Sequence, residues 1–160
     1  MICSFPPICG ENPKILILGS MPGVASLTRQ EYYAHAQNAF WKIMFSLLSD
    51  LPVPDDFESR KKLMLENHIA VWDVLESCER EGSLDSKIRN GIANPIPQFL
   101  DENPLIKAIF FNGKESQKIF VKTFGSTISL PQFSMPSTSP AYTIKFESKL
   151  EVWKSILDYL

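Results

Sequence analysis

The sequence predicts an α/β fold: a largely parallel sheet of four strands, covered by helices on both sides. Three observations carry this. An apolar run, Ile15 to Leu18, stops abruptly on Gly19 and a Ser-Met-Pro-Gly turn. Further short apolar runs follow it, separated by stretches whose apolar residues recur at helical spacing. The strand-like runs are continuously apolar rather than alternating, the mark of strands buried on both faces.

The elements follow in order. Lys14 to Gly19 reads as the first strand. Asn38 to Leu48 carries Phe40, Trp41, Met44, Phe45 and Leu48 on one helical face, and Pro52 and Pro54 end it. Asp55 or Asp56 can cap a helix through FESRKKLMLENH. Ile69 to Trp72 is the second strand, closed by Asp73, a residue able to serve either a structural hydrogen bond or chemistry. The polar stretch Ser83 to Asn94 reads as loop, with at most one helical turn, and Pro95 to Leu100 opens a short helix. Ile106 to Phe111 forms the third strand and ends on Asn112-Gly113; Lys114 to Phe124 forms a helix that Gly125 terminates. Ile128 to Phe133, interrupted by Pro131, predicts an edge strand. Phe146 to Leu160 closes the chain as an amphipathic helix.

The 160 residues match the length of one domain spanning residues 1–160, without repeats or linkers. At 44% hydrophobic and 21% charged the composition is that of a globular protein, and no window approaches a membrane span. The start, MICSFPPICGENPK, lacks a basic segment followed by an apolar run, so no secretory leader is expected. Cys3, Cys9 and Cys78 are odd in number, without a C-x-x-C, and read as reduced thiols of a cytoplasmic protein. Two histidines without a neighbouring acidic cluster predict no metal site. A net charge of −2 argues against broad binding to nucleic-acid phosphates, though not against brief binding through a local patch.

Ligands of parallel α/β folds sit beyond the carboxyl ends of the strands. Three polar clusters land there: Ser20 to Asn38, Asn112-Gly113, and Pro136 to Tyr142. The glycine loop has no Lys-Ser/Thr pair for a triphosphate, no G-x-G-x-x-G, and no central serine of a nucleophile elbow. Beside it, Tyr32, Tyr33, His35, Gln37, Asn38, Phe40 and Trp41 crowd into ten positions. Flat rings that stack, next to an amide that pairs, suit a planar heterocycle. Phe40 and Trp41 also fit a helix core, and Asn38 a helix cap. Ser20 or Ser137 with His35 lacks a placed acid, which disfavours a serine hydrolase, and His68 reads as a surface residue. With an amide, an imidazole and backbone N–H groups but no strong nucleophile, the inventory suits attack by water.

Taken together, GSMPG, YYAH with NAFWK, WDVL with SCEREGSLDS, FFNGK and MPSTSPAY, in this order, resemble the hypoxanthine-DNA glycosylase branch of the uracil-DNA glycosylase superfamily. The resemblance runs from about Phe5 to the C-terminus. It implies a three-layer α/β/α sandwich, a cofactor-free monomer, and excision of deaminated bases, chiefly hypoxanthine, from double-stranded DNA by base flipping and water attack.

The resemblance also assigns roles. Asn38 is the catalytic residue that orients water. Relatives that cut uracil or mismatched thymine place that asparagine third in the glycine loop, where this chain has Met21, whose thioether cannot orient water. Gly19, Ser20, Met21 and Asn112 contact the base, and Tyr32, Tyr33 or Phe40 stacks on it. Pro22, Gly23, His35 and the loop Pro136, Ser137, Thr138, Ser139 and Pro140 meet the DNA strand. The branch reads H-P-R-N where this chain has His35-Ala36-Gln37-Asn38, so one basic phosphate contact is missing. Met135 stands where classical uracil glycosylases carry a histidine. Beside hypoxanthine excision stand two alternatives: a uracil or T:G-mismatch glycosylase, and a non-catalytic domain that binds nucleotides or damaged DNA.

Overall fold

A computed structural model describes residues 1–160. Its centre is a four-stranded sheet built from β2 (Ile15–Gly19), β3 (Ile69–Asp73), β6 (Ile109–Asn112) and β7 (Gln132–Met135). The spatial order is β3-β2-β6-β7, and every pairing is parallel. The chain leaves β2 for β3 on one side and returns to β6 on the other. The crevice between β2 and β6 is therefore the topological switch point, and Gly19 and Asn112 end the two strands that flank it.

Alternation along the strands divides the core into two faces. Ile15, Ile17, Ile69, Val71 and Phe110 pack with α2 (Phe40–Leu48), α3 (Phe57–Glu66) and α6 (Phe146–Trp153). Leu16, Leu18, Ala70, Trp72, Ile109 and Phe111 face the opposite way, onto α4 (Ile96–Glu102) and α5 (Lys114–Phe124). These are the three layers of an α/β/α sandwich. Both faces are buried, and each buried large apolar side chain contributes about 1.5–3 kcal/mol of transfer free energy. That explains why the strands read as unbroken apolar runs.

The structure corrects the sequence reading in four places. Ser83 to Asn94 is not all loop: β5 (Arg89–Ala93) forms an antiparallel hairpin with β4 (Leu75–Glu79), a strand the sequence reading left unassigned, joined at its edge by β1 (Ile2–Cys3). Two register irregularities and an exposed β5 erase the alternation that would have announced it. Helix α1 (Val24–Arg29) follows the glycine loop; Gly23 offers it no side-chain cap, so it left no start signal. The fourth strand begins after Pro131 rather than running across it. The final helix is α-helical only to Trp153, then tightens into a 3₁₀ turn over Lys154–Tyr159. No helix is long and apolar enough to cross a membrane.

Candidate active site

A cavity of about 830 Å³ opens at the carboxyl ends of the strands. Its walls come chiefly from five segments: the glycine loop, the Tyr32–Asn38 segment, the tip of the β4–β5 hairpin, the Asn112–Glu115 turn after β6, and the loop after β7.

The glycine loop is held from below by the hairpin. The Ser20 hydroxyl donates to Asp85 Oδ1 (2.7 Å), the Val24 N–H donates to Ser83 Oγ (2.9 Å), and the Arg80 guanidinium donates to the Pro22 carbonyl. Met21 is buried in a small cluster with Leu75 and Cys78 of the hairpin. The third position of the loop is thus an apolar anchor as well as a wall of the cavity.

Thr138, also in the lining, joins the candidate motifs. It is 1% exposed, and its carbonyl accepts the Ala39 N–H (2.9 Å). Its own N–H donates to Asn112 Oδ1, and its hydroxyl accepts from Asn112 Nδ2, both at 2.9 Å. One residue therefore ties the strand end carrying Asn112 to the segment carrying Asn38. Each amide atom of Asn112 keeps one further hydrogen-bonding position. The loop after β7 is fixed from behind by α6: the Trp153 indole donates to the Pro136 carbonyl (2.9 Å), and the Lys149 ammonium donates to the Ser139 carbonyl (3.1 Å). Gly113 permits the close passage of this loop. Its φ is +96°, and a Cβ there would lie 3.2 Å from Ser137 Cβ.

Asn38 lines the cavity, and its Oδ1 accepts the Phe40 N–H (2.9 Å) just ahead of α2. It therefore steadies the helix start while its Nδ2 remains unpaired. His35 also lines the cavity; it is exposed, and its Nδ1 accepts the Gln37 N–H (3.1 Å).

The three candidate aromatics separate cleanly. Phe40 is fully buried and does not reach the cavity. Tyr32 touches the lining but is 4% exposed, with its hydroxyl donated to the Pro6 carbonyl (2.9 Å) and its ring edge-on to Phe5. Tyr33 lines the cavity half-buried, its ring stacked on Phe40 at 4.1 Å and 25°. Its φ of 54° is a left-handed conformation costly for an aromatic residue. Phe40 thus backs a platform whose front is Tyr33.

Asp73 was legible only as an ambiguous strand end, and it proves to be part of the cavity floor. Its backbone carbonyl accepts from Asn94 Nδ2 (2.8 Å), yet its Oδ2 is buried without a partner. Burial above all, then the neighbouring Asp85, push its carboxyl up to about 7, against a smaller opposing pull from Arg80. Asp85 is also pushed up, chiefly by burial. Asp85 and Ser83 escaped the sequence reading because the hairpin that delivers them did.

A sequence model of the uracil DNA glycosylase superfamily matches residues 6–160. The chain belongs to that superfamily. A protein of Methanosarcina barkeri named hypoxanthine DNA glycosylase is 38% identical over 112 residues, covering 70% of this chain and 71% of its own. A protein of the same name from Methanosarcina acetivorans is 35% identical over the same shares. The solution NMR structure of a candidate uracil DNA glycosylase from Methanosarcina acetivorans superposes with a TM-score of 0.80 at 30% identity, covering 98% of both chains. The superfamily fold thus extends over the hairpin and the final helix as well as the central sheet.

Proposed function

We propose that this superfamily member is a monofunctional DNA glycosylase that excises hypoxanthine from double-stranded DNA, acting as a cytoplasmic monomer. The observation that carries the reading is that an apolar Met21 in the glycine loop and Asn38 line the same cavity. The two relatives named hypoxanthine DNA glycosylase support the base.

Flipping the nucleotide costs a few kcal/mol, least where the base is mispaired. The flipped base stacks on the front of Tyr33, and the free positions of the Asn112 amide hydrogen-bond its edge. Asn38 holds a water toward C1′ as the sugar gains oxocarbenium character. The electron pair of the C1′–N bond leaves with the base, so charge stabilisation on the leaving ring lowers the barrier. Backbone N–H groups and hydroxyls of the Pro136–Pro140 loop contact the flanking phosphates. Asp73, Asp85 and Glu115 line the cavity beside a single lysine, Lys114, so phosphate neutralisation is modest and binding brief.

The test is single-turnover cleavage of duplexes carrying deoxyinosine, deoxyuridine, deoxyxanthosine or a T:G mismatch, each also assayed for binding. Abasic-site formation is expected chiefly from deoxyinosine. Cleavage confined to uracil or thymine would replace hypoxanthine with a pyrimidine, and binding without any cleavage would make the protein a damage-binding domain.

The support from α6 gives a smaller prediction. Lys149→Met keeps the aliphatic stem but removes the donor to Ser139. Affinity for a deoxyinosine duplex is expected to fall roughly tenfold, the size of one charged hydrogen bond. Thermal stability should barely change, because removing the buried ammonium offsets the lost bond. Fluorescence-anisotropy titration measures the first and a melting curve the second; unchanged affinity would mean the loop holds its shape unaided.

A further inference from the structure

Asp73 closes β3 at the floor of the cavity, and the reaction outlined above gives it no role. The residue is 3% exposed, and its Oδ2 has no hydrogen-bond partner. A purely structural carboxyl at this depth would need one. Gly19 defines where the group lies. A Cβ on Gly19 would come within 2.5 Å of Asp73 Oδ1 and 3.0 Å of the Tyr33 hydroxyl. The carboxyl and the Tyr33 hydroxyl therefore crowd the same side of Gly19 in the cavity that Tyr33 lines, within reach of a base stacked on that ring.

The charged and titratable groups around it are few. Tyr32 and Tyr33 face it from the segment before α2, and Arg80 and Asp85 from the hairpin. Burial and the carboxyl of Asp85 both disfavour ionisation, and the Arg80 guanidinium only partly opposes them. A neutral carboxyl is a hydrogen-bond donor, and the edge of a 6-oxopurine carrying N7 and O6 offers only acceptors.

Building on the hypoxanthine reading, we propose that Asp73 is the general acid of the reaction, donating its proton to N7 of the departing 6-oxopurine. As the C1′–N9 bond breaks, its electron pair passes to the purine. N7 takes the Asp73 proton, and hypoxanthine leaves neutral. The water oxygen bonds to C1′ and releases a proton to solvent, from which the Asp73 carboxylate is reprotonated. Pyrimidines have no N7, so the same group confines this assistance to purines.

The experiment compares wild type with Asp73→Asn, an isosteric change, on deoxyinosine and 7-deaza-2′-deoxyinosine duplexes in single turnover. Wild-type cleavage of deoxyinosine is the control for the base reading; its absence would sink that reading, whatever Asp73 does. Given that activity, the wild-type rate on deoxyinosine falls as pH rises through neutrality, because the acid must hold its proton. Asp73→Asn loses roughly 10²–10⁴-fold, the range of general-acid assistance, and its remaining rate no longer varies in that pH interval. Removing N7 from the substrate costs wild type a comparable factor. Wild-type cleavage of the 7-deaza duplex at the deoxyinosine rate would overturn the proposal. An Asp73→Asn variant that retained the wild-type rate or its pH dependence would do the same.

Discussion

Asn38→Ala is expected to lose at least about a hundredfold in single-turnover cleavage of deoxyinosine while remaining folded. The factor is what misplacement of an attacking group by about an ångström costs. Asn38 has two jobs that must be separated, because its Oδ1 also accepts the Phe40 N–H at the head of α2. Losing that bond costs about 1 kcal/mol, which in a chain of this size lowers Tm by roughly 2–4 °C. Asn38→Ser separates the jobs. Serine can still accept the Phe40 N–H but is too short to hold a water at the distance an asparagine reaches. The serine variant should therefore recover the melting temperature and not the rate. If alanine and wild type cleaved alike, or if serine restored the rate along with the stability, Asn38 would be a cap and nothing more.

The neighbourhood of the candidate site was legible in the sequence because its parts are local. Strand ends announce themselves where apolar runs stop, so the sequence alone places Gly19 and Asn112 at the carboxyl edge. The Asn38 segment stood out for its crowded aromatic and amide side chains. What the sequence could not show was how these segments meet. Thr138 was readable only as one of five loop residues, yet it bonds both the Asn112 amide and the Ala39 N–H. The choice among Tyr32, Tyr33 and Phe40 likewise depended on tertiary packing. Three rings within nine positions have the same chemistry, and only the fold turns Tyr32 toward Pro6 and buries Phe40 behind Tyr33.

The hairpin was the larger omission, and it had consequences at the site. β5 is almost wholly exposed, so burial imposes no alternation on its sequence. Its pairing with β4 is interrupted twice, which further blurs the period. Yet its tip carries Ser83 and Asp85 to the glycine loop and sets Arg80 against Pro22. With Ser83 to Asn94 read as loop and β4 unassigned, Asp73 had no acidic neighbour, and nothing suggested that its carboxyl was out of the ordinary.

That carboxyl leads to an expectation about stability that is independent of catalysis: Asp73→Asn should be more stable than wild type at pH 8 and nearly equal to it at pH 4. In the folded protein burial and the neighbouring Asp85 push the Asp73 carboxyl up to about 7 from its ordinary 3.8. Between those values the folded chain holds a proton that the unfolded chain has released. Wild-type stability therefore falls as pH rises from about 4 to about 7, and the full penalty persists above that. A displacement of this size corresponds to on the order of 4 kcal/mol. Asparagine fills the same volume and cannot ionise, so it escapes the penalty and relieves the repulsion from Asp85. The gain at pH 8 should be on the order of 10 °C in Tm, vanishing toward pH 4, in paired melting curves of the two proteins. An asparagine variant less stable at pH 8 would show that the carboxylate makes a favourable contact in the folded state. A stabilised variant that no longer cleaves would instead mark Asp73 as a group kept for function at a cost to the fold.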